Sequence, residues 1–354
     1  MKKTQNGFVT RLIKQAIFII ALFAVITALI GVEVIDSYMA SLLSLSCIYV
    51  IVALGVNLVT GMTGQLVLGH AGFMAIGGYC TAILLKNLHV PMVPALLAGG
   101  VLSGLVGLVI GFPTLRLKGD YLAIVTLGFG EIIRVVLNNL DSITGGAAGF
   151  MGIPGFTGFG GNQALASIVI NSVFMVLAIL TVVHLMTSSH GRALVTIRDD
   201  EIAAESIGLN SFYTKMFAFT VSTFLAGVAG GLFAMQNGFL SPVIFNFLKS
   251  MDILIIVVFG GMGSLTGTVA ASFVLTLLQE QLRVLMDYRL VIYPLLLILM
   301  MIFRPQGLLG TKELKLTDTL LSRRWWVEDY PVLRRKLAGK LAARKKGAEG
   351  NGNS

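Results

Sequence analysis

Between residues 16 and 303 the chain is a succession of apolar runs parted by short polar turns, many of them close to the roughly 20 residues that a bilayer-spanning helix needs. In lipid no water satisfies the backbone, so each such run must close its hydrogen bonds within itself as a helix. The pattern predicts an all-α polytopic membrane protein with about ten transmembrane helices. Composition agrees: 56% of residues are apolar and 12% charged, with a mean hydropathy of +0.87.

The expected spans are 16–32, 38–59, 66–85, 91–112, 121–137, 164–186, 216–235, a short one near 251–259, 265–282 and 290–303. The fourth carries Gly100, Gly104, Gly107 and Gly111 on one face, which suits close packing against another helix. The Gly-, Asn- and Pro-containing stretch 138–163 reads as an ordered or mobile loop rather than a spanning helix. Lys2, Lys3, Arg11 and Lys14 precede the first span, and no small-x-small cleavage site follows it, so it reads as an uncleaved helix. Residues 1–15 then form a cytoplasmic arm, 16–303 a membrane domain and 304–354 a basic cytoplasmic tail. In that tail Trp325 and Trp326, beside Arg323 and Arg324, fit an interfacial segment at anionic lipid.

Charge placement orients the chain. With the N-terminus inside, the inner segments hold 21 of the 26 Lys and Arg, while Lys86, Lys249, Arg283 and Arg289 fall in outer loops. Both termini and the 187–215 loop are therefore expected in the cytoplasm of a cell with a bacterial-type inner membrane. The net charge of +9 does not point to nucleic acid, because most of it sits in the tail.

The sequence shows no catalytic constellation. It has no G-x-x-x-x-G-K-[ST] phosphate loop and no nucleophile elbow. His70, His89, His184 and His190 lack metal-ligand spacing. Cys47 and Cys80 lie inside apolar runs and read as packing residues. No cofactor or metal is expected, and the chain reads as non-catalytic.

Polar groups at membrane depth are the candidates for a translocation path. Asn57 and Gln65 flank the Gly61–Gly64 break and His70 follows it; a helix broken at glycine exposes backbone dipoles to a passing zwitterion. Glu131 and Arg134 lie three apart on one helical face, within reach of each other. Hydrogen bonding within the bundle is the alternative role for all of them. Asp252 and Glu280 depend on the depth of the eighth and ninth spans.

The longest polar interruption between arm and tail runs from His190 to Asn210. Thr196 and Asp199 have capping-box spacing, Asp199, Asp200 and Glu201 suit a helix N-terminus, and Gly208 suits its end, which predicts a short helix over 196–208. Ala203, Ala204 and Ile207 give it a small-residue surface. An ordered polar loop between two spans is the alternative.

The run Gly191-Arg192-Ala193, Ile197-Arg198-Asp199, Glu201-Ile202-Ala203-Ala204-Glu205 and Ile207-Gly208-Leu209-Asn210 resembles the coupling loop of branched-chain amino-acid ABC transporter permeases of the Liv type. Residues 61–73, 117–128, 260–267 and 303–310 agree with that family in the same order, and Leu117-Lys118-Gly119-Asp120-Tyr121-Leu122-Ala123 resembles its M-type subunit. Val67 stands where many relatives carry Ser. The resemblance implies an importer fold of the type II-like kind, a second homologous permease, two ABC ATPase subunits and an extracytoplasmic solute-binding protein. It implies transport of leucine, isoleucine or valine, or alternatively of another amino acid, an amide or urea. It makes Arg192, Arg198, Asp199, Glu201, Ala203, Ala204, Glu205, Ile207 and Gly208 the residues that dock an ATPase. An ion-coupled secondary transporter is the competing class, but the chain is sparse in membrane-depth carboxylates.

Overall fold

The computed structural model describes residues 37–117, 119–156 and 163–282; the arm, the expected first and last spans, the 303–310 motif and the tail lie outside the described residues. Among the described residues, ten helices of six or more residues follow in order: α1 Ser37–Thr60, α2 His70–Lys86, α3 Met92–Thr114, α4 Asp120–Asn139, α5 Gln163–Thr187, α6 Ser189–Asp199, α7 Glu201–Ser206, α8 Ser211–Asn237, α9 Phe247–Gly260 and α10 Leu265–Gln281. Among the described residues, four helices are long and apolar enough to cross a bilayer: α1, α3, α5 and α8. The chain is thus a mostly helical membrane protein.

One expectation needs correction. The third span does not begin at Leu66. Gly64 takes φ +71, and the Leu68 N–H is satisfied by Thr126 Oγ1 at 3.2 Å rather than by a helical carbonyl. A left-handed residue and a tertiary partner together hold 64–69 out of the helix, which starts at His70. The Gly-rich stretch is a loop, as expected, and an ordered one over its described residues. After a single helical turn at Asp141–Thr144, strand β1 Phe150–Met151 pairs antiparallel with β2 Phe239–Leu240.

Helix α8 is the hub. It is buried along most of its length and packs on α1, α2 and α3. The glycine face expected on the fourth span is turned to it: a Cβ on Gly100 would lie 2.7 Å from Val228 Cγ2, and one on Gly111 would lie 2.9 Å from Phe219. A very close approach joins α2 to α8, where a Cβ on Gly77 would run into the backbone of Gly227. Lipid tails are as apolar as leucine, so intimate van der Waals contact rather than water exclusion holds such helices together. Ser103 Oγ, 3.0 Å from Phe73 O and 2.8 Å from Thr223 O, ties α3 to both neighbours.

Candidate translocation and coupling site

The polar stretch 188–210 folds as two helices, not one. Ser188 Oγ accepts the Gly191 N–H and caps α6. Thr196 therefore lies inside a helix, its hydroxyl bonded back to Arg192 O at 2.9 Å, and the expected start at Thr196 is corrected. Asp200 leaves the helix in an extended conformation, φ −157, and its Oδ1 accepts the Ala203 N–H at 3.0 Å to cap α7. Gly208, φ +89, closes the segment as expected.

The surface this makes differs from the expected one. Ala204 is fully buried, so it packs inside the chain and is not part of an open docking face. Ile202 and Ile207 are 80% and 72% exposed, beside exposed Arg192, Asp199, Ala203, Glu205 and Gly208. Glu201 turns inward and pairs with Lys215 of α8 at 2.6 Å, which fixes α7 on the hub. Lys215 had no assigned role in the sequence reading, whereas Asp200 was expected at a helix N-terminus, where it caps α7.

Arg198, at the C-terminal end of α6, is the residue that joins this segment to the membrane core. Its Nη1 donates to Gly61 O at 3.2 Å, and its side-chain stem packs on Gly64, where a Cβ would meet Cγ at 3.1 Å. Asn57, fully buried, supports the same turn. Its Nδ2 donates to Ser264 O at 3.1 Å, and its Oδ1 accepts the Gly263 N–H at 2.8 Å. One asparagine thus binds the α1–α2 break to the α9–α10 turn, and one arginine reaches both from the polar segment. Buried amide groups paired on both their donor and their acceptor side cost little and fix geometry. Asn57, Gly61, Gly64 and Arg198 form one constellation. Gly263 and Ser264 complete it, although the glycine run holding them showed no chemistry in the sequence.

The remaining candidates lie apart. His70 is buried, its Nε2 2.7 Å from Ser222 Oγ on α8, with its ring edge-on to Phe73 and Phe219. His70 Nδ1 and Gln65 Oε1 are buried without a hydrogen-bond partner among the described residues. Glu131 and Arg134 pair as their spacing predicts, Oε2 to Nε at 2.6 Å. Glu131 does more: its Oε1 accepts the Phe247 N–H at 2.9 Å and so holds the N-terminus of α9. Among the described residues, no group of three or more His, Cys, Asp and Glu could hold a metal ion.

Comparison with known proteins accords with this geometry. A family described as branched-chain amino acid transport system / permease component matches residues 38–304. The chain is 38% identical over 322 residues to the high-affinity branched-chain amino acid transport system permease protein LivM of Escherichia coli strain K12, an alignment covering 84% of this chain and 75% of that protein. It is 27% identical to the permease protein BraD of Pseudomonas aeruginosa, over 77% of this chain and 95% of that one. It is 23% identical to LivH of Escherichia coli strain K12, over 77% and 94%. No solved structure matches. The extent of the family match and the identity to LivM together place this chain in the branched-chain amino acid transport system permease family.

Proposed function

We infer that this chain is the M-type membrane subunit of an ATP-driven importer, passing leucine, isoleucine or valine delivered by an extracytoplasmic solute-binding protein. It works as a heterodimer with a second, homologous permease on two ABC ATPase subunits. About ten spans cross the membrane in a type II-like importer fold, with both termini and residues 187–215 in the cytoplasm. The single observation that carries the reading is the contact of Arg198 with Gly61 and Gly64. It supplies a direct mechanical path from a polar surface segment to the glycine turn at the end of a spanning helix. ATP hydrolysis on the partner subunits moves α6 and α7, and Arg198 passes that movement to the two glycine turns. The exposed Ile202 and Ile207 are the apolar contacts that an ATPase groove covers.

The test is uptake by the whole complex, reconstituted with its binding protein and ATP, against a panel of branched-chain amino acids, other amino acids, amides and urea. Saturable leucine, isoleucine and valine uptake that requires ATP is expected; uptake driven by an ion gradient without ATP overturns the reading. The variant Ile207→Arg should insert normally and yet lose the ATPase subunits on purification. A complex that keeps its ATPases and full uptake with Arg at 207 removes the docking face.

A further inference from the structure

Helix α3 carries unlike residues on its two sides. Gly100, Gly104, Gly107 and Gly111 lie against α8. On the other side Val101, Leu102, Leu105, Leu108, Val109 and Phe112 are all exposed. Helix α3 is long and apolar enough to cross a bilayer, and this strip occupies its second half. At 1.5 Å per residue the strip runs about 16 Å, roughly half of a hydrocarbon core about 30 Å thick. It is one leaflet deep.

The strip ends at a cation. Arg116, exposed two residues beyond Thr114, sets its guanidinium carbon 4.6 Å from the centroid of the Phe112 ring and 5.7 Å from that of Phe212, in the first turn of α8. Phe112 and Phe212 meet edge to face with centroids 5.6 Å apart, and Tyr213 meets Phe212 in the same way. The rings attract the cation without taking up its N–H groups. Among the described residues no acceptor bonds to its five donors, and Asp120, four residues on, forms no ion pair with it. Phe212 directly follows the polar segment 188–210, so Arg116 lies at the same end of the bundle as that segment.

A planar guanidinium with a free edge suits a phosphate, which it grips through two parallel hydrogen bonds. Aromatic rings favour the level of lipid headgroups. We propose that Arg116, Phe112 and Phe212 form a binding site for an anionic phospholipid, its phosphate on Arg116 and an acyl chain along Val101–Phe112. The guanidinium already occupies the aromatic faces, and a cation that pairs with no acid prefers a headgroup of net negative charge.

A second protein is the other occupant that an exposed helix side could take. Helices in lipid meet through small residues that let their backbones approach. Those of α3 already face α8, and what is left outward is bulky and aliphatic, a surface for acyl chains. The site also bears on the polar segment. Phe212 precedes by three residues Lys215, whose pair with Glu201 holds α7. Bound lipid ties α3 to the start of α8 and so braces α7. None of this depends on what the chain transports.

The test uses the full chain, reconstituted in phosphatidylcholine vesicles with a phosphatidylglycerol that carries a diazirine in one acyl chain. Photolysis should place label on α3 between Val101 and Phe112. Excess unlabelled phosphatidylglycerol should suppress it, and inorganic phosphate should not. The same diazirine on phosphatidylcholine should label this stretch about fivefold less, and Arg116→Gln should cut the phosphatidylglycerol label about as far, as loss of one surface cation predicts. Arg116→Lys, which keeps the charge without the fork, should fall between. Equal labelling by the two lipids, or label unchanged by Arg116→Gln, overturns the site. Suppression by inorganic phosphate makes it a free-anion site and overturns the lipid. Label on the chain alone that vanishes in the whole transporter assembly gives this face to a protein partner and overturns the proposal as well. If Arg116→Gln does not survive purification, the ratio of the two lipid labels on the unaltered chain decides.

Discussion

The glycines of this chain do two unlike jobs in two regions. At the α2–α8 contact Gly77 is an ordinary helical residue, and its missing side chain lets two helix backbones touch. At the α9–α10 turn Gly263 takes φ +87, a conformation that L side chains rarely adopt, and it has Arg198 Nη1 beside it. The first region is a fixed scaffold, in which any added atom has backbone to displace. The second is a jointed region held by a few hydrogen bonds from Asn57 and Arg198. In a transporter both are needed, because a movement can be transmitted only if something else stays still.

The largest effect should come from the scaffold. Gly77→Leu forces α2 and α8 apart and costs about 3 kcal/mol or more, so little folded protein should survive detergent extraction in a size-exclusion profile. A monodisperse Gly77→Leu permease would mean that the two helices do not touch as described.

The joint should fail differently. Gly263→Val, strained by about 1–3 kcal/mol, and Arg198→Met, which removes the donor to Gly61, should each leave an inserted permease with its ATPases bound. Both should lose most ATP-driven uptake while basal hydrolysis continues. Loss of the protein itself on Arg198→Met would make that arginine part of the scaffold and erase the distinction.

Glu131 lies between the two regions in the expected size of its effect. Glu131→Ala removes both the partner of Arg134 and the acceptor for the Phe247 N–H, whereas Arg134→Gln removes only the pair. Half-exposed ion pairs contribute about 0–1 kcal/mol. Thermal unfolding should therefore shift more for Glu131→Ala than for Arg134→Gln, with the double variant less than additive. Equal shifts would leave the hold on α9 without weight.

The smallest effect sharpens the comparison from the other side. A Cβ on Gly128 of α4 would meet nothing within 4 Å. Gly128→Ala should be neutral or stabilise the isolated chain by about 0.5–1 kcal/mol through helix propensity. A large loss there would show that Gly128 is packed like Gly77.

Much of this architecture is legible in the sequence. Apolar run length places α1, α3, α5 and α8 within a few residues of their observed bounds, because in lipid the backbone has few alternatives to helix. The helical period alone pairs Glu131 with Arg134 and turns the α3 glycines to one side. Local rules mislead where two local signals compete or a tertiary contact decides. Thr196 has the spacing of a cap, but Ser188 caps first; Ala204 looks like a surface residue, but the short helix turns it inward. Lys249 looks like a loop cation, because nothing in its neighbours in sequence reveals that it meets Tyr49 of α1.

The sequence by itself determined the compartment, the helical class, the approximate course of the long apolar helices and the family, since each depends on residues near one another along the chain or on the run as a whole. Only the tertiary structure decided which polar groups meet. Asn57 finds Gly263 and Ser264 some 200 residues away, Arg198 finds Gly61 at a separation of 137, and Lys249 finds Tyr49 at 200. Such pairings are set by how helices cross, and helix crossing is fixed by side-chain shape and glycine contact summed over the bundle, which no local pattern records.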